Sequence, residues 1–429
     1  MEYKIADRSL APLGHQKIDW AWRSMPVLNA LKKRYEPLQP LKGVKLSACL
    51  HLEAKTACLL RVFKALGAEV RAAGSNPLST QDDICAALVD SGVAVFSHHG
   101  MNADEYHDNL RHTLAFGPTV IADDGADLVA TLVTDMKELI PAVRGASEET
   151  TSGVKRLKAM EEQGILPFPS ISVNDANSTY LFDNRYGTGQ SVWDGFMRTT
   201  NSLVAGKVVV IAGYGWCGRG AAMRARALGA RVVVTELDPH RAFEAVMDGI
   251  EVMTMAQAAP IGDIFLTFTG NIHVIRREHF EAMKDNAILG NAGHFDVEID
   301  KNALADLAVK RDEARVNIET FTLPDGRRIN LLGEGRLVNH ACRDGHPIEI
   351  MDLSFALQLE SALYVNEHGR KLENKLMDVP EEIDRRVMVV KLAAAGITLD
   401  QLTEEQRAYM ADWREDSNNV CPFSRRLAP

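Results

Sequence analysis

The sequence predicts an α/β fold built from two parallel-sheet domains, one inserted into the other, with a small C-terminal tail. Three observations predict it. Short apolar runs alternate with helix-length segments from Gly43 onward, a second alternating series starts at Lys207 around a glycine-rich turn, and a long helical stretch follows His346. Alternation of this kind specifies parallel sheets with crossover helices.

In chain order, GVKLSACL (43–50) reads as a strand, EAKTACLLRVFKALG (53–67) as a helix and AEVRAAG (68–74) as the next strand. GVAVFSH (92–98) and PTVIADD (118–124) repeat the strand signal on either side of helix-like DEYHDNLRHTLAF (104–116). The second series opens with an apolar strand at 208–212 and continues through DIFLTFTG (263–270) and NAILGNAG (286–293). The stretch IEIMDLSFALQLESALYVNEH (348–368) must pack on something, and the first sheet is its natural partner. These readings place a first domain at 1–185, an inserted domain at 186–340, a return segment at 341–400 and a tail at 401–429. A cleft between domains is a common ligand site.

The 429 residues are 46% apolar and 25% charged, an ordinary globular profile. Net charge is 48 − 58 = −10, which argues against a nucleic-acid or anionic-membrane partner, because both need a basic surface. The six cysteines (Cys49, Cys58, Cys85, Cys217, Cys342, Cys421) form no CxxC pair; they are expected to be reduced thiols. The start MEYKIADRSLAPLGHQ has no apolar h-region and no apolar run is long enough to span a bilayer, so a cytoplasmic protein is expected. No metal site is expected.

Gly213, Gly215 and Gly218 fit G-x-G-x-x-G between a strand and a helix. The three positions serve a tight turn, close approach of backbone to a pyrophosphate, and close packing of helix on strand. The helix start offers unpaired N–H groups and a positive dipole end. Glu236 ends the following strand, 18 residues past Gly218. Its carboxylate would accept from a ribose 2′-OH and repel a 2′-phosphate, so the Rossmann-like domain is expected to take NAD. Arg241 and His240 nearby leave NADP open.

Long stretches resemble the S-adenosylhomocysteine hydrolases in order and without gaps: PLKGVKLSACLHLEAKTA, STQDD, RGASEETTSGV, LFDNRYGTGQS, AGYGWCGRG, NAGHFDVEID and GRLVNHACRDGHP. The resemblance covers nearly the whole chain and follows the archaeal-type HxExK variant of the family. It implies NAD used without net redox change. The ribose 3′-OH is oxidised to a ketone, the neighbouring C4′–H becomes acidic, the 5′ substituent leaves by β-elimination, water adds to the enone, and the ketone is reduced again.

By the same resemblance, His51 and His294 assist proton traffic at the 5′ position, a task suited to a group that titrates near neutrality. Asp124 stands beside C4′ and C5′, with Asp123 as the capping residue next to it. Glu149 binds the ribose hydroxyls, and Thr150, Thr151 and Ser152 meet the nicotinamide end. Asp183 and Asn184 surround the 3′-OH and nicotinamide. Asn174, Asn339 and His346 line the substrate and cofactor cleft. Thr269 and Asn291, at strand ends, join the cofactor contacts. Phe295 resembles a gate over the homocysteine entrance, with core packing as its alternative. Family members are usually homotetramers.

Four departures stand out. Thr179 occupies the place of a family lysine held to polarise or deprotonate the 3′-OH, and threonine is no base near pH 7. Losing a general base costs about 10²- to 10⁴-fold in rate. Either another group such as Asp183 or a water covers the role, or the substrate differs, or the chain binds nucleoside and NAD without turnover. In the base-recognition stretch, His51-Leu52-Glu53-Ala54-Lys55-Thr56 puts a lysine donor where it would favour a 6-oxo purine; alternatively Lys55 pairs with Glu53 and faces solvent. His340 stands where the family commonly has leucine, as a ligand contact or a surface change. In the tail, Pro422 and Phe423 are kept, Ser424 replaces a lysine, the terminal tyrosine is absent, and Arg425 or Arg426 could substitute.

The leading reading is reversible hydrolysis of S-adenosylhomocysteine or its inosyl analogue, with a small-molecule nucleoside as partner. The nearest alternative is a homologue that stops at 4′,5′-elimination or dehydrates another nucleoside. A non-catalytic NAD- or nucleoside-binding homologue is the third. A plain dehydrogenase would leave the elimination residues unexplained.

Overall fold

The computed structural model describes residues 1–411 and 413; the tail residues 422–426 discussed above lie outside the described residues. Two sheets dominate. The first contains β1 (Lys45–Leu50), β2 (Glu69–Gly74), β3 (Ala94–Phe96), β4 (Val120–Asp123), β5 (Gly145–Glu148) and β6 (Ser170–Ser172). The second contains β7 (Val208–Ala212), β8 (Arg231–Thr235), β9 (Glu251–Val252), β10 (Ile264–Thr267), β11 (Ala287–Asn291), β12 (Lys310–Arg315), β13 (Ile318–Thr322) and β14 (Arg328–Leu332). A last short strand, β15 (Leu376–Asp378), returns to the edge of the first sheet beside β6.

The first sheet runs β15-β6-β5-β4-β1-β2-β3 and is parallel throughout. Strand order reverses between β4 and β1, and ligands of open α/β sheets bind in the crevice such a switch leaves at the strands' C-terminal ends. His51 follows β1 and Asp124 follows β4, so both flank that crevice. The second sheet runs β12-β13-β14-β11-β10-β7-β8-β9, with its own reversal between β10 and β7. The glycine turn follows β7 and Thr269 follows β10. One feature was not legible: β13 pairs antiparallel with both β12 and β14, extending the parallel core by a meander. The charged, exposed β12 (KRDEAR) blunts that edge against further pairing.

The stretch after His346 forms one helix, Ile348–His368. It packs on β4, β5 and the Ala54–Ala65 helix, as its apolar surface requires. Its Asp352 carboxylate accepts from Val27 N and Leu28 N at 3.1 and 2.9 Å, capping the Pro26–Tyr35 helix. Between the sheets, Thr179–Gly187 forms a wide π-helical turn in which Thr188 N–H reaches Asp183 O, five residues back. Such turns re-aim side chains and recur at functional sites. The Thr188–Thr200 helix then lies against the Trp216–Ala227 helix through a glycine contact: a Cβ on Gly189 would stand 2.7 Å from the Gly220 carbonyl carbon, and one on Gly220 would stand 1.8 Å from Arg185 O. This close approach brings Asn184 and Thr188 to the cofactor turn. Among the described residues, no helix is long and apolar enough to cross a membrane, and the five cysteines present are free.

Candidate active site

A cleft of about 1060 Å³, part of it open to solvent, lies between the C-terminal ends of the two sheets. Its walls include His51, Asp124, Glu149, Asp183, His294 and His346 from the two ends of the fold.

One end is an acid–base cluster around Asp124. His51 Nε2 lies 3.4 Å from Asp124 Oδ2, and His294 Nδ1 lies 3.6 Å from Oδ1. The donor atoms of all three lie within 4.8 Å of one another. Ser79 Oγ lies 2.6 Å from His51 Nδ1 and 3.1 Å from Asn76 O, within hydrogen-bond reach of both. Burial pushes the His51 pKa down to about 4, with the Asp124 charge opposing it, so the ring is neutral at pH 7.

The Asp124 loop is held from behind. Gly125 N and Ala126 N donate to the two oxygens of Glu148 at 2.8 and 2.9 Å. Both residues have positive φ, +105° and +58°. Asp123 caps the next helix through Leu128 N and Val129 N, as its sequence position suggested. Burial and the neighbouring Asp127 charge lift Asp123 to about 7, and burial also raises Glu148.

The other end is a pair of carboxyls. Asp183 Oδ1 bonds His346 Nδ1, and its Oδ2 accepts from Ser354 Oγ at 2.7 Å. Glu149 Oε2 accepts from Gln358 Nε2 at 2.5 Å, while Glu149 Oε1 is buried without a partner. Burial, and then the Asp183 charge, raise the Glu149 pKa well above its usual range. His340 bridges the two ends, 3.9 Å from the His51 ring centroid and 5.7 Å from that of His346. Thr150, Thr151, Ser152, Asn174, Asn184, Thr269 and Asn339 also line the cleft. Thr151 Oγ1 donates to Asn174 Oδ1, and Asn339 Oδ1 is buried and unpaired.

The cofactor turn lies beside this cleft. A Cβ on Gly218 would strike Gly213 O at 1.9 Å, whereas one on Gly215 would meet only Arg241 Nη1 at 3.8 Å. The Trp216–Ala227 helix begins at Gly215 without a side-chain cap, leaving N–H groups and open space for a diphosphate. Glu236 Oε2 accepts from Tyr214 N at 2.6 Å, and Oε1 accepts from Leu237 N and Asp238 N.

Several expectations need correction. Thr179 does not line the cleft: it is 1% exposed at the start of the π-helical turn, too short to reach out, and its Oγ1 has no partner. Asn291 is spent within the protein, its Nδ2 bonding Gly293 O, Phe295 O and Gly335 O and its Oδ1 accepting from Gly293 N. It shapes the loop carrying His294. Glu53 lines the cleft but caps the Ala54–Ala65 helix through Lys55 N and Thr56 N. Lys55 pairs with Glu53 at 2.8 Å, as one alternative held, yet is buried, with its ammonium also on Asp344 O at 2.6 Å. Phe295 is 38% exposed, which removes the core-packing alternative, and His340 lines the cleft, which removes the surface one. Residues missed by the sequence reading are Ser79, Glu148, Ser354 and Gln358. The signal for the last two was present: polar residues four apart on an apolar helix share one face.

Two family profiles match the chain, S-adenosyl-L-homocysteine hydrolase over residues 2–141 and the NAD binding domain of the same enzyme over 184–345. A Thermococcus kodakarensis protein named adenosylhomocysteinase is 58% identical over 412 residues, covering 96% of this chain and 98% of that protein. A Methanopyrus kandleri protein named S-inosyl-L-homocysteine hydrolase is 53% identical over 415 residues, covering 96% and 98%. A Methanococcus maripaludis protein of the same name is 51% identical over 411 residues, covering 96% and 99%.

Proposed function

The chain belongs to the S-adenosyl-L-homocysteine hydrolase family, and we propose that it reversibly hydrolyses the thioether joining homocysteine to C5′ of a purine nucleoside, with NAD returned to its starting state. One observation carries the reading: the cleft holds two separate proton-handling groups. His51, Asp124 and His294 form one, and Glu149, Asp183 and His346 the other. A plain dehydrogenase needs only the second. An elimination at the neighbouring carbons needs the first as well.

When bound, NAD supplies the oxidation of the 3′-hydroxyl and the final reduction of the ketone. The turn from Gly213 to Gly218 would hold its diphosphate, Glu236 its adenosine ribose, and Thr150, Thr151, Ser152 and Asn184 its nicotinamide end. Glu149 and Asp183 take the sugar hydroxyls. Across the cleft, Asp124 and His51 accept the C4′ proton and return one to the departing sulfur, with His294 as the second donor beside Asp124. Water enters by the reverse path. Apolar Leu50, Leu337, Met351 and Phe355 line the same cleft and suit the flat faces of a purine.

The base is the finer question. Lys55 has two N–H groups committed, to Glu53 and Asp344 O, and one left for the cleft. A donor there complements the 6-oxo group of hypoxanthine, so S-inosylhomocysteine is the second substrate reading. Parallel assays of thiol release from S-adenosyl- and S-inosylhomocysteine test both. Release from either without accumulation of reduced nicotinamide is expected, and release from neither overturns the proposal. A cytoplasmic homotetramer belongs to the same reading, supported by family membership; mass measurement in solution tests the assembly.

A further inference from the structure

The Ile348–His368 helix carries a short polar rail inside an otherwise apolar packing surface. Ser354 and Gln358 are both fully buried and lie one helical turn apart. Ser354 donates to Asp183 and Gln358 donates to Glu149. The Gln358 amide is itself oriented, because Ser147 on β5 donates to its Oε1 at 2.6 Å. That fixes Nε2 toward Glu149 and leaves Glu149 Oε1 unpaired. A third contact completes the clamp: His346, just ahead of the helix, bonds the other Asp183 oxygen.

Charge is the second observation. Two carboxyls line the same cleft, and among the described residues neither pairs with a lysine or arginine; Asp183 meets only His346. Their remaining partners on the rail are neutral. The charged and titratable groups facing this end of the cleft include His346 and His340 from the segment before the helix, Cys217 from the cofactor-turn helix, Asp124 and His294 from the opposite wall, and Lys155 at the rim. Thr179, at the start of the turn that presents Asp183, adds no charge. Burial, and then the Asp183 charge, favour the protonated form of Glu149.

We propose that Ser354 and Gln358 are positioning residues that hold the Asp183 and Glu149 carboxyls in place in the cleft, and that these carboxyls take the proton of the sugar hydroxyl during its oxidation. The inference rests on the function proposed above. The O–H bond breaks and its proton goes to one of the two carboxylates. The C–H bond breaks with its electron pair passing to the oxidised nicotinamide. In the final reduction both transfers run backward, so the carboxyls end the cycle in the protonation state in which they began it.

The test is single-turnover reduction of bound nicotinamide by adenosine and by inosine, followed against pH in the NAD-loaded protein. Gln358→Leu removes a donor that lowers the Glu149 pKa, so the acidic limb moves to higher pH and the rate falls by about 10²-fold. Nucleoside affinity should change far less than the rate. Ser354→Ala should act the same way and Ser354→Thr should restore the wild-type profile. Ser361→Ala is the folding control, since Ser361 Oγ is buried on the same helix without a partner. Wild-type rates and limbs in both Ser354→Ala and Gln358→Leu would overturn the inference alone. A wild-type protein that releases no thiol from either thioether would overturn the function and the inference together.

Discussion

The imidazole of His340 lies flat on that of His51, with centroids 3.9 Å apart and planes 15° from parallel. Stacked and buried together, the two rings favour the neutral form: burial lowers both pKa values, His51 to about 4. Proton transfer at this end of the cleft therefore starts from an uncharged imidazole.

That state makes stability depend on acid. The unfolded chain binds a proton at His51 near 6.5 and the folded chain only near 4. Its penalty is absent above pH 6.5 and grows as pH falls through that window, to about 3 kcal/mol. Asp123, with its pKa raised to about 7, acts in the opposite direction, so the difference from a variant is the useful quantity. His51→Asn should lose less stability than wild type between pH 7 and pH 4, by about that amount, in denaturant unfolding. Parallel loss in the two proteins would contradict a buried neutral ring.

The loop behind Asp124 should tolerate little change. A Cβ on Gly125 would stand 2.6 Å from His294 Nε2, and its φ of +105° disfavours any side chain. Gly125→Ala should therefore lower kcat by about 10²-fold with cofactor content unchanged. Glu148→Leu leaves the N–H groups of Gly125 and Ala126 buried and unpaired, at a cost of about 1–3 kcal/mol each, visible as a lower Tm. Full activity in Gly125→Ala would show that His294 need not sit where it does.

In the proposed reading, cofactor choice rests on Glu236. NADP should rebind to cofactor-stripped protein about 10²-fold or more weakly than NAD, because its 2′-phosphate meets a carboxylate. Glu236→Ser should narrow the gap. Equal binding of both dinucleotides by the wild-type protein would remove Glu236 as the discriminator.

Thr179→Lys adds the cation that the Asp183–Glu149 end lacks. A nearby positive charge favours ionised carboxyls, so the acidic limb of the pH–rate profile should move to lower pH and turnover on S-adenosylhomocysteine should rise. An unchanged profile would mean that position 179 is too deeply buried to matter.

Much of this was legible in the chain. The strands after Gly43 and Lys207 announced themselves by alternation, and the glycine turn followed from the strand before it and the acid 18 residues past Gly218. What escaped was set by tertiary context. GASE and SIS are too short and polar to read as strands, yet form β5 and β6 because neighbours cover both faces. Asn291 and Glu53 carry functional-looking side chains that backbone N–H and C=O groups consume, which no spacing rule reveals. Glu148 looked like a neighbour of Glu149; the alternation of a strand sends the two to opposite sides, one into the loop and one into the cleft.

The central claim is that a sugar carbon is oxidised and restored within one turnover while its neighbour gives up a proton. Hydrolysis of 3′-deuterated S-adenosylhomocysteine, or of its inosyl counterpart, in ordinary water tests it most directly, with a parallel run of unlabelled substrate in deuterated water. The nucleoside product should keep its deuterium at C3′ in the first run and gain solvent deuterium at C4′ in the second. A product with no solvent deuterium at C4′ would contradict the claim.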